Sequence, residues 1–206
     1  MNQTSFDLPI ILGSSSKYRA EVLRQHHIPF TVRVASIDEK SVGGSYRTQP
    51  DPDALTLTVA QAKMDALLAT LPTDTQPSLV MTCDQVVSFK GQIREKPETK
   101  EKCRLYLESY AEAPAETHSA VVVTNTATGK RVQGVDVARQ YFKKIPSNVI
   151  QALVDKGDVM HCCGGFLIED AILHPYMLHR EGDDDSIIGM PIKLLRRLLL
   201  EASSSM

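Results

Sequence analysis

Pro9-Ile10-Ile11-Leu12-Gly13-Ser14-Ser15-Ser16-Lys17-Tyr18-Arg19 is the stretch on which the fold turns. An apolar run of strand length ends at Leu12, and a helix opens near Ser16 and runs towards His26. The first N–H groups of a helix are unpaired and sit at the positive end of its dipole, so they attract anions. With the hydroxyls of Ser14, Ser15 and Ser16 and the forked guanidinium of Arg19 one turn further in, the segment has the parts of a phosphate cradle. A serine-rich N-cap ahead of an amphipathic helix accounts for the same residues without a ligand. On either reading the local order is strand, turn, helix.

The pattern continues outward from there. A second strand over 30–34 closes a βαβ-like unit. Residues 41–53 read as a long polar loop, and 54–71 as a helix with Leu57, Ala60 and Met64 turned inward, stopped by Pro72. Leu79-Val80-Met81-Thr82-Cys83 predicts a central strand buried on both faces. Residues 86–94 read as a hairpin turning at Lys90-Gly91, and 98–110 as a helix. Residues 118–125 and 131–142 form a two-stranded ribbon turning at Thr128-Gly129-Lys130. Ser147 is placed to cap a helix that ends at Lys156 and is stopped by Gly157. A short strand over 166–168 follows, then a last helix with Pro191 in its first turn, running through Leu194, Leu195, Leu198 and Leu199. No internal repeat or linker divides the 206 residues, so one α/β domain over 1–206 is expected.

Composition removes several classes of function. A net charge of −2 and a pI near 6.3 give no electrostatic footprint for nucleic acid. No apolar run reaches the roughly 20 residues of a membrane helix. The segment Met1-Asn2-Gln3-Thr4-Ser5-Phe6-Asp7 lacks the basic and apolar regions of a signal peptide. Four cysteines without CxxC spacing suit reduced thiols. His161-Cys162-Cys163 has metal-ligand residue types, but adjacent cysteines rarely face one ion. The C-terminal Ser204-Ser205-Met206 bears a distant likeness to a peroxisomal tripeptide without its basic residue, and a cytoplasmic location is the default.

Single residues then stand out. Asp84 comes directly after the buried run, at the carboxyl end of a strand, where open α/β sheets place functional groups; a turn-forming Asp is the alternative. Lys96 is held extended by Pro97, and Lys63 lies between small residues on an apolar helix. Asp38-Glu39 and Glu169-Asp170 offer carboxylates after strand-like segments, whereas Asp183-Asp184-Asp185 reads as a solvated loop. Gathered in one crevice, these cations, hydroxyls and carboxylates suit a nucleotide polyphosphate held with a divalent metal. Neither G-x-x-x-x-G-K-[ST] nor G-x-G-x-x-G is present.

At this point the chain resembles the Maf nucleotide pyrophosphatases. Ser14-Ser15-Ser16-Lys17-Tyr18-Arg19 is similar to their S-x-S-x-x-R opening, Asp38-Glu39 to their acidic pair and Ala60-Gln61-Ala62-Lys63 to their helical lysine motif. Cys83-Asp84-Gln85-Val86, Glu95-Lys96-Pro97, His161-Cys162-Cys163-Gly164-Gly165-Phe166 and Ile188-Gly189-Met190-Pro191 follow in order, over about residues 9 to 200. The resemblance implies an elongated, twisted mixed sheet flanked by helices, with two lobes and a central cleft. It implies cleavage of the α–β phosphoanhydride of a nucleoside triphosphate to the monophosphate and pyrophosphate, in house-cleaning of modified nucleotides.

The resemblance also implies roles. Ser14, Ser16 and Arg19 hold phosphates, and Lys63 and Lys96 stabilise negative charge. Asp84 and Glu39 hold Mg²⁺ or Mn²⁺ and orient water, Tyr18 and Glu169 read the base, and Gln85 is a further substrate-binding residue. The Asp84-Gln85 pair, the H-C-x-G-x-F segment and Glu169 resemble the branch that acts on 7-methyl-GTP, with UTP and CTP as further substrates. A carboxylate suits a methylated purine that is positively charged and offers two donors on one edge. Three positions depart from the family pattern: Lys17 stands for a proline, Tyr18 for a tryptophan and Ala20 for a second basic residue. The alternatives are a dTTP/UTP pyrophosphatase and a non-catalytic nucleotide-binding regulator of cell division. The sequence leaves open whether the chain works alone or as a homodimer.

Overall fold

The computed structural model describes residues 6–204; the last two residues of the Ser204-Ser205-Met206 tripeptide and the first five of the N-terminal segment lie outside the described residues. Ile10–Leu12 is strand β1, Lys17–Gln25 helix α1 and Thr31–Val32 strand β2, with β1 and β2 parallel. β2 is shorter than the expected 30–34 strand, and both its residues are exposed, because it is the sheet's outer edge. The polar stretch read as a loop contains a 3₁₀ turn, Glu39–Ser41, and a short helix α2, Gly44–Thr48, entered through Gly43 at φ 83°. Helix α3, Pro52–Thr70, is capped by Asp51, whose carboxylate accepts from the Ala54 N–H, and it ends at Leu71 before Pro72. Ala60 and Met64 are fully buried on it; Leu57 is only half-buried.

Strand β3 spans Leu79–Phe89, well past the expected end at Cys83. It continues because Val86 and Val87 keep the apolar alternation, while the intervening Asp84 and Gln85 both find polar partners. Lys90 and Gly91, both at positive φ, turn it into β4, Gln92–Arg94, as a two-residue hairpin requires. Helix α4 is Lys100–Ser109, β5 Ala115–Asn125, β6 Arg131–Phe142 and α5 Ser147–Lys156. Ser147 is the first residue of α5 and makes no side-chain cap, contrary to expectation; Gly157 closes the helix at φ 88°, as expected. Residues 166–168 form no strand. The acidic run taken for a loop instead opens helix α6, Asp184–Ile188, behind strand β7, Met177–Glu181. Helix α7, Ile192–Ser203, completes the chain with Pro191 as its cap.

The seven strands form one mixed, twisted sheet in the order β2-β1-β3-β5-β6-β7, with β4 on β3. β1 runs parallel to β2 and β3, and the remaining pairs are antiparallel. Strand alternation sorts the core. Met81 and Cys83 pack with Leu23 of α1 and Leu195 and Leu198 of α7. Further along the same face Val87 packs with Leu107, Tyr110, Leu153 and Phe166. On the opposite face α3 covers Val80 and Val122 with Met64 and Leu67. Gln85 lies between the first two packings, so one face of a continuous sheet carries two lobes with a cleft between them. Among the described residues, no helix is long and apolar enough to cross a membrane.

Candidate active site

The two edges of β3 differ, and that difference makes the site. One edge pairs with β5 from Leu79 to Ser88. The other takes β1 at Leu79–Met81 and β4 at Val87–Phe89, which leaves 82–86 without a neighbouring strand. Buried carbonyls along such a gap need other donors. The Arg19 Nη1 donates to the Cys83 carbonyl at 3.1 Å, and the Cys163 thiol donates to the Gln85 carbonyl at 3.1 Å. Asp84 therefore sits inside a strand, at a break in the strand's edge, and not beyond the strand's end as its position after the apolar run suggests.

The turn from β1 into α1 approaches this break closely. A Cβ at Gly13 would lie 2.7 Å from side-chain carbons of Leu67 and Thr82, so only glycine fits. Ser16 caps α1, its hydroxyl accepting from the Arg19 N–H at 3.3 Å, and the Ser14 hydroxyl accepts from the Ser16 N–H at 3.3 Å. The cap and the cradle thus use the same serines. Arg19 is more tied down than a free phosphate clamp would be. Its Nε donates to the Gly189 carbonyl at 3.0 Å and its Nη1 reaches Ser14 Oγ at 3.4 Å, leaving Nη2 without a partner among the described residues.

Lys63 projects from α3 into the break. Its ammonium lies 2.7 Å from Asp84 Oδ1 and 3.0 Å from Glu39 Oε1. The Thr82 hydroxyl donates to the Ala60 carbonyl at 2.7 Å, fixing α3 against β3 one turn before that lysine. Asp84 is 8% exposed. Burial raises its pKa above the ordinary carboxylate range, against the pull of Lys63 and Arg19. Arg47 of α2 holds the Glu39 turn in place by donating to the Glu39 carbonyl at 2.9 Å and the Val42 carbonyl at 3.2 Å, and it also pairs with Glu95. Nothing in the local sequence marks Arg47, since its partners are 5 and 8 residues away as carbonyls. Lys96, next to Glu95, stands exposed at the rim with no ion pair among the described residues.

The opposite end of the cavity comes from the segment after α5. Gly164 and Gly165 take φ 71° and 72° in a tight turn; the Tyr110 hydroxyl donates to the Gly164 carbonyl at 2.7 Å, and the Gly164 N–H to that of Glu95 at 3.2 Å. Glu169 follows in a turn at the rim, not at a sheet edge, and partial burial of its carboxyl raises its pKa. The Tyr18 phenol is pushed up to about 12, first by burial and then by surrounding negative groups. Gln85 is committed elsewhere: its amide nitrogen donates to the Ile187 carbonyl at 2.9 Å, the Ser186 carbonyl at 3.3 Å and Ser119 Oγ at 3.1 Å. Its nitrogen thus braces α6, while the residue still lines the cavity. Among the described residues no three His, Cys, Asp or Glu side chains are grouped to hold a metal ion.

All ten candidate residues (Ser14, Ser16, Tyr18, Arg19, Glu39, Lys63, Asp84, Gln85, Lys96 and Glu169) line one cavity of about 380 Å³. With that geometry in hand, the sequence matches the family model described as "Maf-like protein" over residues 9–202. The chain belongs to the Maf family. Among its Maf-type relatives, a 7-methyl-GTP pyrophosphatase of Dictyostelium discoideum is 42% identical over 199 residues, covering 95% of this chain and 98% of the relative. A nucleoside triphosphate pyrophosphatase of Salinispora tropica is 30% identical over 198 residues, covering 96% and 85%. Another nucleoside triphosphate pyrophosphatase, from a Synechococcus strain, is 29% identical over 198 residues, covering 96% of each chain.

The donors of this Maf chain suit a hard divalent cation. Asp84 and Glu39 converge on one ammonium, so both carboxylates reach the same small volume. Mg²⁺ is commonly held by one or two carboxylates together with substrate phosphates and water, without an all-protein cage.

Proposed function

We propose that this chain, acting as a single domain, is a nucleoside triphosphate pyrophosphatase that takes 7-methyl-GTP and releases 7-methyl-GMP and pyrophosphate. The observation that carries the reading is the Glu39–Lys63–Asp84 ion chain at the break in β3, facing the serine-lined N-terminus of α1. The 42% identity to a 7-methyl-GTP pyrophosphatase supports the choice of substrate.

The α1 terminus, Ser14, Ser16 and the free Nη2 of Arg19 bind phosphate oxygens. Lys63 and Lys96 neutralise the charge that develops as the anhydride breaks, which is the main lever in phosphoryl chemistry. A Mg²⁺ or Mn²⁺ ion held by Asp84 and Glu39 supplies charge neutralisation at the phosphates when bound. Asp84, buried at the break in the strand's edge, orients the attacking water and takes its proton. Tyr18 and Glu169 contact the base, the first by its ring face and the second as acceptor for the purine's donor edge.

The test is a panel of canonical and modified nucleoside triphosphates with Mg²⁺, read by pyrophosphate release. Preferred turnover of 7-methyl-GTP is expected. Tight binding of a nucleotide with no hydrolysis of any would favour the regulator instead. In Glu169→Gln the ratio of 7-methyl-GTP to UTP turnover falls; an unchanged ratio removes Glu169 from base selection.

A further inference from the structure

The cavity is electrically lopsided. Lys63 and Arg19 sit at the break in β3, whereas Asp158 and Glu169, which line the same cavity, act on Tyr18, with Lys96 reaching Cys162 and Cys163 between them. Asp158 opens the turn after Gly157, and its backbone carbonyl accepts the Cys162 thiol at 3.6 Å, which fixes this acid against the cavity wall. Among the described residues its ion pair is a shared one: Lys156 lies 3.6 Å from Asp158 but 2.7 Å from the buried Asp170, which it neutralises. Negative charge here also shows in its neighbours. Asp158 and Glu169 both add to burial in pushing the Tyr18 hydroxyl and the Cys162 thiol up to about 12. Against this stands Lys17, which also lines the cavity and holds its ammonium 5.0 Å from the centroid of the Tyr18 ring. It occupies the aromatic surface that a cationic base would use.

We propose that Asp158 and Lys17 select the base by its charge, Asp158 favouring a positively charged purine and Lys17 opposing it. The inference rests on the pyrophosphatase reading above and extends it to residues outside the catalytic machinery. N7-methylation adds one positive charge to guanine, so 7-methyl-GTP and GTP differ in the property these side chains sense. Any effect they have on the shared triphosphate cancels in a ratio of the two substrates.

The experiment measures kcat/KM for 7-methyl-GTP and GTP with the full chain and with Asp158→Asn, Asp158→Glu, Lys17→Met and the double variant Asp158→Asn/Lys17→Met. Moving one charge a few ångströms from the base in a partly solvated cavity changes the ratio by about three- to tenfold. Asp158→Asn lowers the ratio, Lys17→Met raises it, Asp158→Glu keeps it and the double variant returns towards the starting value. Single variants that leave the ratio unchanged, or that both move it in the same direction, overturn the proposal. Should the unaltered chain hydrolyse neither triphosphate, the pyrophosphatase reading fails on its own. The same signs are then read from calorimetric binding of 7-methyl-GMP against GMP, where a ratio indifferent to both substitutions overturns the charge selection.

Discussion

Along β5, strand β3 is paired residue by residue from Leu79 to Ser88; along its other edge, pairing stops at Met81 and resumes at Val87. The paired edge is apolar and buried, with Val121, Val122 and Val123 fully covered. The broken edge is closed by side chains, a guanidinium on one carbonyl and a thiol on the next, and it holds a buried carboxylate in between. The first arrangement stabilises the fold. The second costs stability, because burial disfavours the charged form of Asp84. Its folded pKa is raised, so the ionised form is destabilising above that pKa, and the cost fades as pH falls through it. A continuous sheet can thus keep a reactive group in its middle if one edge is left open and patched.

The sharpest way to break this comparison is one substitution on each edge. Asp84→Asn cuts turnover by about a hundredfold or more, and its thermal midpoint does not fall, because a disfavoured buried charge is removed while Lys63 keeps its pair with Glu39. Val123→Ala on the paired edge does the reverse, losing about 2 kcal/mol of stability with turnover per folded molecule unchanged. Denaturation curves and initial rates on the same samples check both. Lys63→Met comes next. It removes an ammonium that lowers the Asp84 pKa, so the acid limb of the pH–rate profile moves to higher pH while turnover falls about tenfold or more. A limb that stays in place would separate Asp84 from the proton-accepting role.

Arg19→Ala touches the patch itself. It unpairs the Cys83 and Gly189 carbonyls, and about 1–3 kcal/mol of stability is lost together with phosphate affinity, read as a raised KM. The smallest effect belongs to Cys163. Cys163→Ala frees the Gln85 carbonyl at a cost of about 0.5–1 kcal/mol, and Cys163→Ser, which keeps a donor, recovers it.

The paired edge was largely legible in the sequence, because the valine run of β5 and the turn at Gly129 announce themselves by local pattern. So were the cap at Ser16 and the stops at Pro72 and Gly157. The broken edge was legible only in its parts. Asp84 read as a strand's end because a charge after five apolar residues ordinarily marks one, and the Lys63 that makes it tolerable lies 21 residues away. The bracing role of Gln85 left no local mark, because its three acceptors lie on β5 and α6, the latter a helix hidden in an acidic run. Phe166-Leu167-Ile168 read as a strand from its apolar composition, but the two positive-φ glycines before it turn the chain away from the sheet. Arg47 gave no signal, and Cys163 stood out only as part of a motif, since their bonds to backbone carbonyls exist only where the folded chain brings those near.

We propose that the open edge of β3 is where a triphosphate is cut between its α and β phosphorus atoms. Product analysis of 7-methyl-GTP hydrolysis with Mg²⁺, by ion-exchange chromatography, tests it most directly. The expected products are 7-methyl-GMP and pyrophosphate in equal amounts, both formed at least about a hundredfold more slowly by folded Asp84→Asn. Release of inorganic phosphate with 7-methyl-GDP, or full turnover by that variant, would contradict it.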